Sequence, residues 1–172
     1  MDKRWIAILV IFIVGMSCMY FIVTNSPAIG TPIKNLNKSI VTIPNDFTAA
    51  DENSDSLLLH NKSNTVENLY IQDLGKGNHS LDKFKNRLKS LPNEGNIKII
   101  KNESEITPEH TIYTVYYQRL DNGTQYESIT YMDCIKHTFY IKLYGFSSIE
   151  SMDYPFNFVV DTLQPDYKRT QD

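Results

Sequence analysis

The stretch Thr111–Tyr144, TIYTVYYQRL DNGT QYESITYM DCIK HTFYIKLY, decides the fold. Thr111–Leu120 is dense in β-branched and aromatic residues, the types that pack well on a pleated surface, so it reads as a strand. Asp121-Asn122-Gly123-Thr124 follows, and Asn-Gly accepts the positive φ angles of a tight hairpin. Gln125–Met132 then returns, residues 133–136 turn again, and His137–Tyr144 makes a third strand. Its alternation is clean: Phe139, Ile141 and Leu143 face one way, Tyr140, Lys142 and Tyr144 the other. Three strands joined by short turns form an antiparallel sheet, which needs something to cover at least one face.

The flanking sequence supplies more strands and the cover. Asn96–Lys101 (NIKIIK) reads as a strand, and residues 102–110 as a polar loop containing Pro108. Upstream, Leu81, Phe84, Leu88 and Leu91 recur at spacings of three and four, which predicts a helix with Ser80 as its cap. Lys83, Lys85, Arg87 and Lys89 take its other faces, and Pro92-Asn93-Glu94-Gly95 stops it. Ser39–Ile43, Ser56–His60 and Asn68–Leu74 are three further short strands. Residues 45–55 read as an acidic loop; Asp51, Glu52 and Asp55 lack the glycine and distal glutamate of a calcium loop. Downstream, Ile149, Met152, Phe156, Val159 and Leu163 keep helical spacing. Proline suits a first turn, so the main helix is predicted from Pro155 to Leu163, with a turn before it. The expectation is an α+β domain: an antiparallel sheet of five to seven strands with two helices packed on it. Phe84, Leu88, Phe139, Ile141, Leu143, Phe156 and Val159 are its expected core.

The amino-terminal end says where the chain sits. Trp5–Val23 carries no charge, with Asp2, Lys3 and Arg4 before it and Thr24-Asn25-Ser26-Pro27 after. As a helix it would be roughly 28 Å long, close to the bilayer core. The reading is a cytoplasmic stub at residues 1–4, a transmembrane signal anchor at 5–23 and a tether at 24–38. A soluble domain at 39–165 and a tail at 166–172 complete the chain. Lys3 and Arg4 keep the amino terminus inside, so the domain lies outside. Two other readings stay open. In one, the run is a cleaved signal peptide with Ser26-Pro27-Ala28 as the cleavage site, and the domain is secreted. In the other, Cys18 is lipidated, although Gly15-Met16-Ser17-Cys18 lacks the usual apolar residue three before the cysteine.

The net charge of −3 argues against a nucleic-acid partner, which calls for an excess of Lys and Arg. Cys18 and Cys134 are the two cysteines, too few for a disulfide framework. Cys134-x-x-His137 has the spacing of a metal-ligand pair, but zinc needs three or four ligands, and His60, His79 and His110 are scattered. No metal, no cofactor and no catalytic residue is therefore predicted, and the chain is read as a non-enzyme. The alternative is a surface enzyme using Cys134 and a histidine, although no Gly-rich oxyanion loop surrounds Cys134.

Ile40-Val41-Thr42-Ile43-Pro44-Asn45-Asp46-Phe47, two strands, a helix, the antiparallel run and the terminal Phe158-Val159-Val160-Asp161-Thr162-Leu163-Gln164-Pro165 make an ordered pattern. From Ser39 to Pro165 it resembles the PsbP/Mog1-like α/β/α sandwich of small exported prokaryotic proteins and photosystem subunits. The resemblance implies a binding or assembly role and carries over no active-site residue.

Eleven tyrosines stand out. Tyr116, Tyr126, Tyr140 and Tyr144, with Tyr131, lie on adjacent predicted strands and would form an amphipathic platform if they shared an open face. Five Asn-x-Ser/Thr sequons, at Asn37, Asn61, Asn78, Asn102 and Asn122, fall in predicted loops or the tether and are candidate N-glycosylation sites. Together these point to a membrane-tethered, extracytoplasmic, non-catalytic binding or assembly module. Its partner would be a protein or glycan at the cell surface. A purely structural envelope component is the third reading.

Overall fold

A computed structural model of the chain describes residues 33–37, 39–121, 125–135 and 137–165, the side chain of Ile33 excepted. The stub, the anchor, most of the tether, Asn122 and the tail lie outside the described residues. Among those described, no helix is long and apolar enough to cross a membrane.

The elements are β1 (Ile33–Leu36), β2 (Ser39–Thr42), β3 (Phe47–Glu52), β4 (Ser56–Asn61) and β5 (Asn68–Lys76). Then come α1 (Ser80–Ser90), a 3₁₀ turn (Leu91–Asn93), β6 (Ile97–Ile106) and β7 (His110–Arg119). β8 (Gln125–Cys134), β9 (His137–Phe146) and α2 (Glu150–Thr162) complete the domain. Seven strands form one antiparallel sheet in the order β3-β4-β5-β9-β8-β7-β6, and β1 and β2 form a separate ribbon. This is the α+β sheet with two helices that the sequence predicts.

The sheet is buried on both faces, but unequally. On one face Leu57, Leu69, Ile71, Phe139, Ile141 and Leu143 meet Met152 and Val159 of α2 and Leu36 and Val41 of the ribbon. On the other, Phe84 and Leu91 cover Val115, Tyr117 and Ile129. Of the expected core, Phe84, Phe139, Ile141, Leu143 and Val159 are buried, whereas Leu88 and Phe156 are half-buried at the margins.

Several expectations need correction. Ile33–Leu36, read as tether, is a strand: Asn37 takes a left-handed turn (φ 56°), β1 folds back on β2, and Leu36 reaches the core at 1% exposure. Phe47–Glu52, read as acidic loop, is an edge strand anchored by Phe47, with Asp51 and Glu52 left in solvent. β6 runs on through residues 102–106, because an edge strand needs no alternating apolar face and Glu103 and Glu105 stay hydrated.

The helices also start differently from the prediction. α2 starts at Glu150, with Pro155 inside it. The start is set by Ser148, whose Oγ accepts the Ser151 N–H at 3.2 Å while its carbonyl accepts the Ser151 hydroxyl at 2.7 Å. Ser80 is not the acceptor that caps α1. Asp133, at the end of β8, accepts the N–H groups of His79 and Ser80, each at 3.2 Å, and the Ser80 hydroxyl. Leu81, expected on the apolar face, is 41% exposed at the free end of the first turn.

Candidate functional site

Strand parity determines where the tyrosines go. Side chains alternate along a strand, and residues opposite each other share a face. β7 and β8 pair Tyr113 with Tyr131 and Tyr116 with Ser128, and β8 and β9 pair Tyr131 with Tyr140. Tyr113, Tyr131, Tyr140, Tyr144 and Tyr70 of β5 therefore lie on the α1 face. Tyr116 and Tyr126 lie on the α2 face. Tyr116 is buried there at 7% exposure, and burial, with smaller contributions from Glu103 and Asp153, pushes its phenol up to about 12. The four tyrosines named from sequence thus do not make one platform. A two-residue turn at Asn122-Gly123 would pair Tyr116 with Ile129 and put it beside Tyr140. The observed pairing, Arg119 with Gln125, is shifted by one residue, and a one-residue shift flips the face.

What the α1 face offers instead is a cleft. α1 lies chiefly over β7 and β8, with Phe84 stacked on Tyr113 (centroids 5.6 Å apart), and covers β9 only in part. Along that margin runs a cleft of about 510 Å³. Its floor is Tyr131, Tyr140, Gln72 and Leu74; its wall is Lys83, Asn86, Arg87 and Ser90. Tyr140 packs against Tyr131 at 5.3 Å and against Tyr70 edge-on at 6.1 Å, a row of three rings of which Tyr131 and Tyr140 lie in the floor. Burial holds the Tyr140 phenol well above its ordinary value, so it remains a neutral hydrogen-bonding group.

The electrostatics are one-sided. Among the described residues, no carboxylate lines the cleft. Arg87 is fixed by Glu94, which accepts both terminal guanidinium nitrogens, one at 2.7 Å. Burial works against the Arg87 charge, but the hydrogen bond and charge of Glu94 outweigh it and raise its pKa further. The Lys83 side chain has no hydrogen-bond or ion-pair partner among the described residues and lines the cleft.

Beside the cleft, Glu127 is buried at 5% exposure and saturated with donors: Tyr117 Oη at 2.6 Å, Arg119 Nε at 3.1 Å and Lys142 Nζ at 3.2 Å. Burial alone would raise its pKa, yet Tyr117 and the two cations lower it, so it is a carboxylate. Lys142 also stands over the Tyr144 ring, 4.9 Å from its centroid. This network ties β7, β8 and β9 together through Glu127 and leaves that carboxylate fully engaged.

Cys134 stands across from His110 on one side and His137 on the other. Burial, then the nearby Glu109, pushes its thiol up, the opposite of what an activated nucleophile needs. His137 turns Nδ1 to the buried Asp73 at 3.1 Å, and Asp73 also accepts the Gly75 N–H at 2.8 Å. The pair closes the end of the core. Among the described residues, no group of three or more His, Cys, Asp or Glu side chains is placed to hold a metal ion.

Of the described sequons, Asn37 is exposed in a turn, Asn78 is exposed in the loop before α1, and Asn102 is exposed in the middle of β6 rather than in a loop. Asn61 is engaged: it donates to Glu67 at 2.8 Å and accepts the Ser63 N–H at 2.9 Å.

The architecture has solved counterparts. The cyanobacterial PsbP (CyanoP) of Synechocystis sp. PCC 6803 superposes with a TM-score of 0.57 at 10% identity, over 82% of this chain and 95% of that one. The domain has the PsbP/Mog1-like fold. The Ran-binding protein Mog1p of Saccharomyces cerevisiae matches this PsbP/Mog1-like domain with a TM-score of 0.50 at 10% identity, over 80% of this chain and 97% of that one. No family model and no curated protein sequence matches the chain. At such identity the likeness gives the PsbP/Mog1-like fold alone, and the cleft must be read from its own residues. Its signal in the sequence was Tyr131, Tyr140 and the basic face of α1, read apart because nothing local brings them together.

Proposed function

We propose that this chain is a membrane-tethered, extracytoplasmic, non-catalytic binding module, and that the cleft between α1 and the β5/β9 margin takes its ligand. The cleft carries the reading. Its volume lies in the range of ligand sites, and it combines aromatic rings with a few placed polar groups. Tyr131 and Tyr140 give stacking surface, Gln72 and Asn86 give amide donors and acceptors, and Lys83 gives a free positive charge. That set suits a partner presenting a carboxylate or phosphate beside a flat or polyhydroxylated surface. The thiol of Cys134 is held protonated, which speaks against its use as a nucleophile.

The tether reading rests on the uncharged Trp5–Val23 run behind Lys3 and Arg4. Confining the domain at a membrane surface raises its effective concentration for partners held there. Two measurements test the proposal. Protease added to intact cells should remove the domain; survival until lysis would reverse the orientation. Crosslinking in intact membranes should yield a defined partner that is lost in Lys83→Glu while circular dichroism stays unchanged. A partner retained in Lys83→Glu would remove the cleft from the account.

A further inference from the structure

The two edges of the sheet are unequal. The β3 edge is short, bulged between Ala49 and Asp51, and guarded by the ribbon: Lys34 reaches Glu52 at 2.6 Å, and the Asn37 N–H reaches the Ser54 carbonyl at 2.5 Å. The β6 edge is ten residues long, pairs among the described residues only with β7, and is exposed at every residue but Ile97. Ile99, Ile100 and Ile106 stand in solvent there. A long unpaired edge with apolar side chains is a template for another strand.

The order of residues on β6 says which strand. Its pairing with β7 skips one residue, so Ile100 is a bulge. The ladder positions are then Ile97, Ile99, Asn102, Ser104 and Ile106 on the α1 face and Lys98, Lys101, Glu103 and Glu105 on the α2 face. Asn102 is the middle position of that ladder. We propose that β6 pairs antiparallel with β6 of a second copy of this chain, about a two-fold axis at Asn102, joining two sheets into one. In that register Lys101 faces the partner's Glu103, Lys98 faces the partner's Glu105, and Ile97 faces the partner's Ile106. Each contact occurs twice by symmetry, as an isologous interface requires. Every ladder position finds a partner and every charge an opposite one.

The alternatives are worse on the same count. The smallest slips that keep the faces matched put Glu103 against Glu103 or Lys101 against Lys101 on the axis. A parallel pairing sets like against like. Opposite charges across a strand pair stabilise it and like charges destabilise it. The charges are already extended along the strand: Lys101 holds its own Glu103 at 2.8 Å and lies over the Tyr116 ring, 4.5 Å from its centroid. The bulge and the four charges bar indiscriminate edge pairing while permitting this one register.

The test uses the full chain in its membrane with Cys18→Ser and Cys134→Ser. Asn102→Cys places the new thiol opposite its symmetry mate, where opposed Cα atoms in a sheet lie about 4.5–5.5 Å apart, within disulfide reach. Mild oxidation should give a covalent dimer on a non-reducing gel. Adding Lys98→Glu and Lys101→Glu makes the strand wholly acidic and should lower the crosslinked fraction by about tenfold or more. Mixing that variant with a differently tagged Asn102→Cys chain carrying Glu103→Lys and Glu105→Lys should restore crosslinking, now between the two tags. The substituted β6 side chains are solvent-exposed, and circular dichroism checks that each variant, with Cys134→Ser at a half-buried position, is folded. No dimer from Asn102→Cys, or a yield indifferent to charge reversal, overturns the proposal. So does failure of the mixed pair to recover.

Discussion

Replacing Asp133 by alanine should destabilise the domain and loosen the wall of the cleft. The carboxylate sits at the amino end of α1 and accepts the N–H groups of His79 and Ser80 and the hydroxyl of Ser80. Losing an N-cap acceptor costs roughly 0.5–2 kcal/mol. The Ser80 side chain is fully buried, and stranding its hydroxyl adds roughly 1–3 kcal/mol. Thr138, which also donates to Asp133, keeps the Gly77 carbonyl at 3.0 Å and adds little. The expected total is about 2–4 kcal/mol. Asp133→Asn keeps one acceptor oxygen and should cost about half as much. Ser80→Ala should cost about 1 kcal/mol or less, because Asp133 retains both backbone donors. Urea unfolding of the chain from Asn25 onward, followed by circular dichroism, measures all three as midpoint shifts at constant slope. A loss below about 0.5 kcal/mol for Asp133→Ala, or an equal loss for Ser80→Ala, would refute the cap.

Other expectations follow from particular groups. Phe84→Ala should cost about 3–5 kcal/mol, since the ring is buried on the sheet, and the half-buried Leu88→Ala less, both read by the same unfolding assay. Glu127 has a folded pKa below that of an unfolded glutamate (~4.3), so its stabilisation is complete above that value and is lost as pH falls through the folded pKa. Glu127→Gln should flatten the fall in urea midpoint between about pH 5 and 3; an unchanged acid limb would contradict the network. The Cys134 thiol, pushed up by burial, should react with iodoacetamide at neutral pH more slowly than in urea, and equal rates would contradict its placement. Spectrophotometric titration should lose an absorbance step near pH 12 on Tyr116→Phe.

Much of this architecture is legible in local pattern. The alternation of His137–Tyr144 marks a strand buried on one face and half-covered on the other, the run Thr111–Leu120 marks one buried on both, and pattern follows burial. The spacing of Phe84, Leu88 and Leu91 finds α1 for the same reason. Pattern fails where burial does. β3 and the second half of β6 are edge strands whose Asp51, Glu52, Glu103 and Glu105 are solvated, so their composition reads as loop. β1 was hidden by its neighbours Gly30 and Pro32 and by a left-handed Asn37. The cleft was out of reach for a different reason: it depends on which face Tyr131 and Tyr140 share. That is set by the pairing of β8 with β9 and by where α1 ends up lying. Neither is written in any single stretch.

The cleft is the centre of the account, and a photoreactive residue placed in it gives the most direct test. Asn86 lines the cleft, is exposed, and makes no side-chain hydrogen bond among the described residues; Asn157 is equally exposed on α2, a helix of the opposite sheet face. With the full chain in its own membrane, illumination should give a single adduct from position 86 that Lys83→Glu abolishes, and none from position 157. Equal adducts from both positions, or an adduct from position 157 alone, would contradict the assignment of the cleft as the binding site.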